Sequence, residues 1–205
     1  MRDGYARGVS GDSLGFPEQI SRACHDLRTP LASAYGFART LERLGAVSGE
    51  HARYLALVVE ASEELGRLID CLALLARAED GRLVLERISV GSAELAQEAL
   101  GLVPGERLSS EGPGTAIEVD RVRAVSALAW LAEAVAHAVP GDQPLRVEAR
   151  GDGAFAVGPI ATVMADRIAD GTGDLRALAA RAVARAHGGT LAREDDRIVL
   201  RLAAT

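Results

Sequence analysis

Residues 20–41 read ISRACHDLRTPLASAYGFARTL, and this stretch sets the architecture of the N-terminal part of the chain. Its apolar side chains recur at alternating steps of four and three residues, at Ile20, Cys24, Leu27, Leu31, Ala34, Ala38 and Leu41. This spacing places them along one side of an α-helix. The preceding FPEQ at residues 16–19 is typical of a helix start, with proline at the first helical positions. We therefore predict one long helix from residue 16.

A second helix is predicted after the GAVSG break at residues 45–49, with Ser48 as its N-cap. The same apolar spacing returns at Val58, Ala61, Leu65, Leu68, Leu72 and Leu75. The two helices would form a hairpin with one uncovered apolar stripe, which must pack on another domain or on a second copy. We expect a homodimer in which two hairpins build a four-helix bundle.

The helical pattern ends at residues 79–81, EDG, and shorter segments follow. Strands are predicted at 83–90, 116–119, 145–149, 154–157, 191–192 and 198–202. Helices are predicted at 93–102, at 121–139 with Asp120 as the N-cap, and at 175–187. The fold class is therefore α+β, with helices against a mostly antiparallel sheet. We divide the chain into a flexible N-terminus (1–15), a helical hairpin (16–81) and a second domain (82–205).

Composition excludes several classes of function. The 205 residues carry a net charge of −6, only 3% are aromatic, and all 23 basic residues are arginines, so nucleic acid is not an expected partner. No run of about 20 apolar residues suits a membrane span, and we expect a cytoplasmic protein. Cys24 and Cys71 lack metal-type spacing and are interpreted as apolar core residues.

Within the first helix, His25 is a candidate nucleophile. A neutral imidazole can attack phosphorus, and the adjacent Asp26 can orient the ring and take its proton. Arg28, one turn along, can supply positive charge to a phosphoryl group, whose transfer depends on positioning and nearby cations. Thr29 can hydrogen-bond a water molecule or a phosphoryl oxygen, and Pro30 removes one helical hydrogen bond just beyond the histidine.

The ordered run HDLRTPL at residues 25–31 closely resembles the phospho-acceptor box of sensor histidine kinases. The resemblance implies a dimerisation and histidine-phosphotransfer hairpin, as a parallel or antiparallel four-helix dimer, followed by a kinase-type ATP-binding fold. Asp26 matches the family's acid–base position. Thr29 matches the polar residue that in many relatives helps to remove phosphate from the partner response regulator.

The second domain departs from that family pattern at three places. The chain contains no asparagine, and Ala134 and Trp130 stand where the resemblance implies the asparagines of an ATP site. The strand at 154–157 is followed by GPI, without the aspartate expected to read adenine. The glycine-rich turn survives only as GTG at 171–173, followed by Asp174, whose carboxylate is predicted to cap the next helix and would repel a triphosphate. Glu133, beside Ala134, is the one candidate to replace the missing metal ligand.

These departures favour two-component signalling without ATP use. The expected function is a phosphorelay histidine phosphotransferase that passes a phosphoryl group through His25 between response-regulator receiver domains. It would need no cofactor of its own, since Mg²⁺ would come with the receiver. Two alternatives stay open: an active histidine kinase with a divergent ATP site that uses Glu133, and a non-catalytic pseudokinase adaptor.

Overall fold

The computed structural model describes residues 15–104, 107–141, 143–170 and 172–202. Two long antiparallel helices, α1 (Phe16–Arg43) and α2 (Glu50–Glu79), form the predicted hairpin. Of the N-terminal segment that we expected to be flexible, residues 1–14 lie outside the described ranges. Among the described helices, none combines the length and the apolar character that crossing a bilayer requires.

The start of α2 differs from the prediction. Its N-cap is Gly49, not Ser48, and no side chain caps the helix. Gly49 has a φ of 61°, a conformation that glycine adopts without the steric cost other residues bear. The turn therefore depends on backbone geometry instead of on a serine hydroxyl group. Helix α1 begins with Gly15 as its N-cap and continues through Pro30.

The second part of the chain contains four helices and seven strands in its described residues. The helices are α3 (Ser92–Leu100), α4 (Arg121–Ala138), α5 (Thr162–Ala169) and α6 (Leu175–Ala186). The strands are β1 (Arg87–Gly91), β2 (Leu108–Glu111), β3 (Ala116–Asp120), β4 (Leu145–Ala149), β5 (Ala154–Gly158), β6 (Thr190–Glu194) and β7 (Arg197–Arg201).

The strands form two sheets. Five of them pair in the order β2-β4-β5-β7-β6, in which β2 is parallel to β4 and the other pairs are antiparallel. Strands β1 and β3 form a separate antiparallel pair. The prediction of a mostly antiparallel sheet is confirmed. Strand β2 was not predicted, because LSSE carries little of the β-branched or aromatic character that marks a strand.

The larger sheet has one apolar side and one charged side. Its apolar side packs on the helices and includes Phe155, Val157 and Leu200. The opposite side buries only the small side chains Ala154, Ala156 and Val199. Arginine–carboxylate pairs connect β4 and the turn after it with β7 and β6, and β7 with β6, namely Arg150–Glu194, Arg197–Glu148, Arg201–Glu194 and Arg201–Asp152. The architecture is therefore a two-layer α/β sandwich joined to a helical hairpin.

Helix α2 contributes to the core of this sandwich. Cys71 and Leu74 belong to the same buried cluster as the side chains of α4 and α6. Burial raises the pKa of the Cys71 thiol to about 12, so this group is a poor nucleophile at neutral pH. Cys24 is also buried and free, which confirms both cysteines as core residues. The hairpin and the sandwich thus share one apolar core.

Asp120 and His187 join the small sheet to α4 and α6. The Asp120 carboxylate caps α4 by accepting from Arg123 N at 3.0 Å, as predicted. The Asp120 N–H group donates to His187 Nε2 at 3.1 Å, and His187 Nδ1 lies 2.9 Å from the Val183 carbonyl oxygen. These two partners assign a neutral imidazole with its proton on Nδ1.

We predict that His187 makes the fold sensitive to mild acid. Burial lowers the pKa of the His187 imidazole below its ordinary value of 6.5. Its contribution to stability is therefore complete above pH 6.5 and is lost as the pH falls through the lower, folded-state pKa. Urea unfolding of the wild type should give a smaller free energy of unfolding at about pH 5.5 than at about pH 7.5.

In a His187→Leu variant the Asp120 N–H group loses its acceptor, and the free energy of unfolding should fall by about 1–3 kcal/mol at neutral pH. This variant should also lose much of the pH dependence between the two conditions. The matched control is His51→Gln, a change at an exposed histidine of α2. An unchanged pH dependence in His187→Leu would contradict the assignment.

Candidate functional site

The hairpin holds His25 on its outer surface because its neighbour points inward. Cys24 is fully buried against Ile69 and Ala73 of α2. Successive residues of an α-helix point about 100° apart, so a buried Cys24 directs His25 away from that contact. The side chains of His25 and Asp26 are both exposed to solvent. The imidazole is therefore accessible to a partner molecule.

Arg28 lies one turn beyond His25 and is held by a residue that the sequence analysis missed. Its Nη2 atom donates to Asp70 Oδ1 of α2 at 2.7 Å. Both side chains are partly exposed, so the ion pair orients the guanidinium group more than it stabilises the fold. Asp70 follows the buried Ile69. Its pairing with Arg28 depends on the register between the two helices, which the residue pattern of one helix does not reveal.

Thr29 is exposed on the same helix, and its carbonyl oxygen accepts a hydrogen bond from Ser33 Oγ at 3.1 Å. Its side chain is free to face an approaching molecule. All four predicted site residues, His25, Asp26, Arg28 and Thr29, thus lie within about 6 Å of helix length.

A shallow groove runs along the hairpin from the Arg28–Asp70 pair. It has a volume of about 300 Å³ and lies between α1 and α2, lined in part by Leu31, Tyr35 and Gly66. The Tyr35 hydroxyl group donates to Glu63 Oε1 at 2.9 Å and closes the far end. An apolar floor between two charged ends is a suitable surface for a helix of another protein.

The hairpin exposes many of the apolar residues that the spacing placed in its seam. Cys24 and Ala38 are buried, but Leu27 and Leu41 are 51% and 43% exposed. On α2, Val58 and Leu65 are exposed as well, and Leu57 and Tyr54 extend the same surface. One chain therefore buries only part of the predicted seam. Contiguous apolar surface of this kind marks an interaction site.

In the second domain, Glu133 is engaged by two arginines. Arg176 Nε donates to Glu133 Oε2 at 2.9 Å, and Arg67 Nε of α2 lies 3.5 Å from Glu133 Oε1. Glu133 and Arg176 are only 5% and 4% exposed. Burial raises the pKa of the Glu133 carboxyl group and lowers the pKa of the Arg176 guanidinium group, because each loses hydration.

The backbone N–H groups at the N-terminus of α6 are capped by a side chain of the protein itself. Asp174 is the N-cap and accepts from Arg176 N at 2.7 Å, as the sequence predicted for this residue. Gly171, the first glycine of the predicted turn, lies outside the described residues. A cavity of about 140 Å³ remains between α4, α5 and this turn, lined in part by Ala134, His137 and Asp174.

The hairpin matches a known family of domains. Residues 18–81 match the His Kinase A (phospho-acceptor) domain. The probable sensor histidine kinase TcrY of Mycobacterium tuberculosis (strain ATCC 25618 / H37Rv) is 37% identical over 81 residues. That match covers 40% of this chain and 17% of TcrY, so the chain spans a small share of its relative's length.

Two solved structures share the fold of nearly the whole chain. Full-length ShkA, in a crystal structure with AMPPNP, superposes with a TM-score of 0.65 at 22% identity, over 92% of this chain and 46% of ShkA. The histidine kinase AdeS of Acinetobacter baumannii has a TM-score of 0.55 at 19% identity, over 88% of this chain and 98% of AdeS. The hairpin is therefore a His Kinase A (phospho-acceptor) domain, and together with the second domain it has the fold of solved histidine kinases.

Proposed function

We propose that this protein is a histidine phosphotransfer protein that relays a phosphoryl group through His25 between response-regulator receiver domains, without phosphorylating itself from ATP. The observation that carries this proposal is the contrast between two sites. His25 is exposed beside a held arginine, whereas the carboxylate best placed to serve an ATP site is buried in ion pairs with Arg176 and Arg67.

The chemistry at His25 is an in-line phosphoryl transfer. A ring nitrogen of His25 attacks the phosphorus of an aspartyl phosphate on the receiver, an N–P bond forms, and the P–O bond to the receiver's carboxylate breaks. The other ring nitrogen gives its proton to Asp26. The reverse sequence returns the phosphoryl group to a second receiver, so no net oxidation or hydrolysis occurs.

Arg28 and Thr29 act on the phosphoryl group itself. The Arg28 guanidinium group, held beside His25 by Asp70, offsets negative charge on the transferring oxygens. The exposed Thr29 hydroxyl group can hydrogen-bond one of these oxygens or a water molecule. By hydrogen-bonding a water molecule, Thr29 would assist hydrolysis of the phosphorylated receiver. Relay and phosphatase activity would then share one surface.

The partner surfaces follow from the apolar areas of the hairpin. The groove beside Arg28 is the docking site that we assign to a receiver helix, because it begins one turn from His25. The exposed stripe that includes Leu27, Val58 and Leu65 is assigned to a second copy of the chain. A homodimer with a four-helix bundle would leave one His25 accessible on each copy.

The second domain does not suit a magnesium nucleotide. Mg²⁺ prefers oxygen ligands, and Ala134 offers only a methyl group. Using Glu133 instead would require its oxygens to leave Arg176 and Arg67. The cavity of about 140 Å³ beside Ala134 is also smaller than the roughly 300–1,000 Å³ of typical ligand pockets. We therefore infer that Mg²⁺ is contributed by the receiver.

The proposal predicts that receivers label His25. Receiver domains from the same organism, loaded in advance with radioactive acetyl phosphate, should transfer label to the wild type and to a His51→Ala control, which changes another exposed histidine of the hairpin. A His25→Ala variant should take up no label. Retention of all label on every receiver, with the wild type unlabelled, would contradict the proposal.

A second experiment separates the proposal from an active kinase with a divergent ATP site. We expect titration calorimetry with Mg-ATP to show no binding up to millimolar concentration, and radioactive ATP to leave the protein unlabelled. An active kinase would bind Mg-ATP and label itself, and both activities would fall in Glu133→Gln. A non-catalytic adaptor would instead give normal signalling in cells that carry His25→Ala.

A third prediction concerns Asp70. Asp70→Asn removes the carboxylate that orients Arg28, so transfer from the receiver to His25 should become slower, by about fivefold if the change is worth about 1 kcal/mol. Single-turnover labelling measures this rate. Because Asp70 acts through Arg28, the same substitution should have no effect in an Arg28→Ala background. Equal slowing in both backgrounds would show that Asp70 acts independently of Arg28.

A further inference from the structure

Arg176 connects three helices through one buried guanidinium group. It lies in the first turn of α6, pairs with Glu64 of α2, and donates to Glu133 Oε2 of α4 at 2.9 Å. A third carboxylate, Asp174, lies 3.4 Å from Nη1. Only 4% of Arg176 is exposed. The hairpin and the second domain therefore meet at one buried cation.

Arg67 completes this cluster from the hairpin side. Its Nη2 atom pairs with Glu64 Oε2 at 2.8 Å, and its Nε lies 3.5 Å from Glu133 Oε1. Two arginines thus face three carboxylates, those of Glu64, Glu133 and Asp174. Glu133, the buried carboxylate of the three, depends on these two cations, because removing one partner of a buried ion pair leaves the other charge uncompensated.

Apolar contacts surround the cluster, and the buried charges add contacts of defined geometry to them. Leu75 and Ala78 of α2 and Leu178 and Ala182 of α6 line an open cavity of about 420 Å³ where the two helices meet. An incompletely filled apolar contact tolerates sliding, whereas a buried guanidinium group that pairs with carboxylates of two helices requires a defined geometry. The orientation of the second domain on α2 therefore depends on Arg176 together with the apolar core that includes Cys71 and Leu74.

We propose that Arg176 is an interdomain latch, whose buried guanidinium group bridges Glu64 of the hairpin to Glu133 of the second domain and holds the two in one fixed orientation. Glu64 lies six residues, or about 9 Å along α2, from Asp70. The latch therefore keeps the second domain beside the surface on which a partner reaches His25. This inference does not depend on the proposed phosphotransfer.

Hydrogen exchange of the full chain, followed by mass spectrometry, tests the latch. Glu64→Gln removes the hairpin's charge from Arg176 and leaves Glu133 in place. Amides at the start of α6 and in the facing turns of α2 should exchange at least about tenfold faster than in the wild type, because local opening no longer breaks an ion pair. Strands β4, β5 and β7 should keep wild-type protection.

Glu63→Gln is the matched control. Glu63 is the next residue on α2, but it pairs with Tyr35 and Arg39 inside the hairpin. The Glu63→Gln substitution should leave the amide exchange rates in α6 unchanged. Arg176→Met should loosen α6 further, since Glu64 and Glu133 then lose their shared cation. If that variant does not fold, Glu64→Gln still decides the question.

Two results would overturn the latch. One is wild-type exchange in α6 of the Glu64→Gln variant. The other is an equal loss of protection in α6 and in the sheet, which would mean that Glu64 supports global stability instead of the interdomain orientation. Trp130 is the one tryptophan of the sequence and is nearly buried in α4. Its emission maximum should stay at the wild-type value in Glu64→Gln and so show that the second domain remains folded.

Discussion

Helix α2 is packed on two sides at once, and this constraint organises the molecule. One side of α2 buries Ile69 and Ala73 against Cys24 of α1. Another side buries Cys71 and Leu74 in the core of the α/β sandwich. A helix can satisfy both contacts only if its apolar residues cover well over half of its circumference. The rotation of α2 about its axis is then fixed by two independent cores.

This fixed rotation explains where the remaining surfaces lie. With two sides of α2 engaged, a third side carries Val58 and Leu65 to solvent. Asp70, next to the buried Ile69, is directed along the hairpin toward Arg28. The exposed apolar surface of α2 and the position of Arg28 beside His25 are therefore both consequences of how α2 packs between α1 and the sandwich.

Much of the fold could be predicted from local patterns. The alternating three- and four-residue spacing located both long helices, and Asp120 and Asp174 were identified as the caps they are. The predictions that failed concern features that depend on backbone conformation or on distant parts of the chain. The start of α2 depends on the positive φ of Gly49 instead of on Ser48, and strand β2 exists because β4 offers it a parallel partner.

The residues of the candidate site also fall into two groups, those that a local sequence pattern could predict and those that it could not. His25, Asp26, Arg28 and Thr29 are contiguous, so a sequence motif contains them all. Asp70, Glu64 and Arg176 act across helices, and a charged residue in a helical pattern is usually interpreted as solvated surface. Arg176 is instead nearly buried. Periodicity does not distinguish these two cases, because the partner that neutralises the charge lies more than 40 residues away along the chain.

The exposure of His25 also limits what this chain can do alone. Phosphoryl transfer is accelerated mainly by positioning and by charge neutralisation in a site that excludes water. His25, Asp26 and Thr29 are open to solvent, and an exposed pair such as Arg28–Asp70 contributes at most about 1 kcal/mol. In the proposed transfer, the partner must therefore cover the histidine and supply most of the electrostatic stabilisation. On that proposal, an exposed histidine with a groove one turn away would form a complete active site only when a receiver binds.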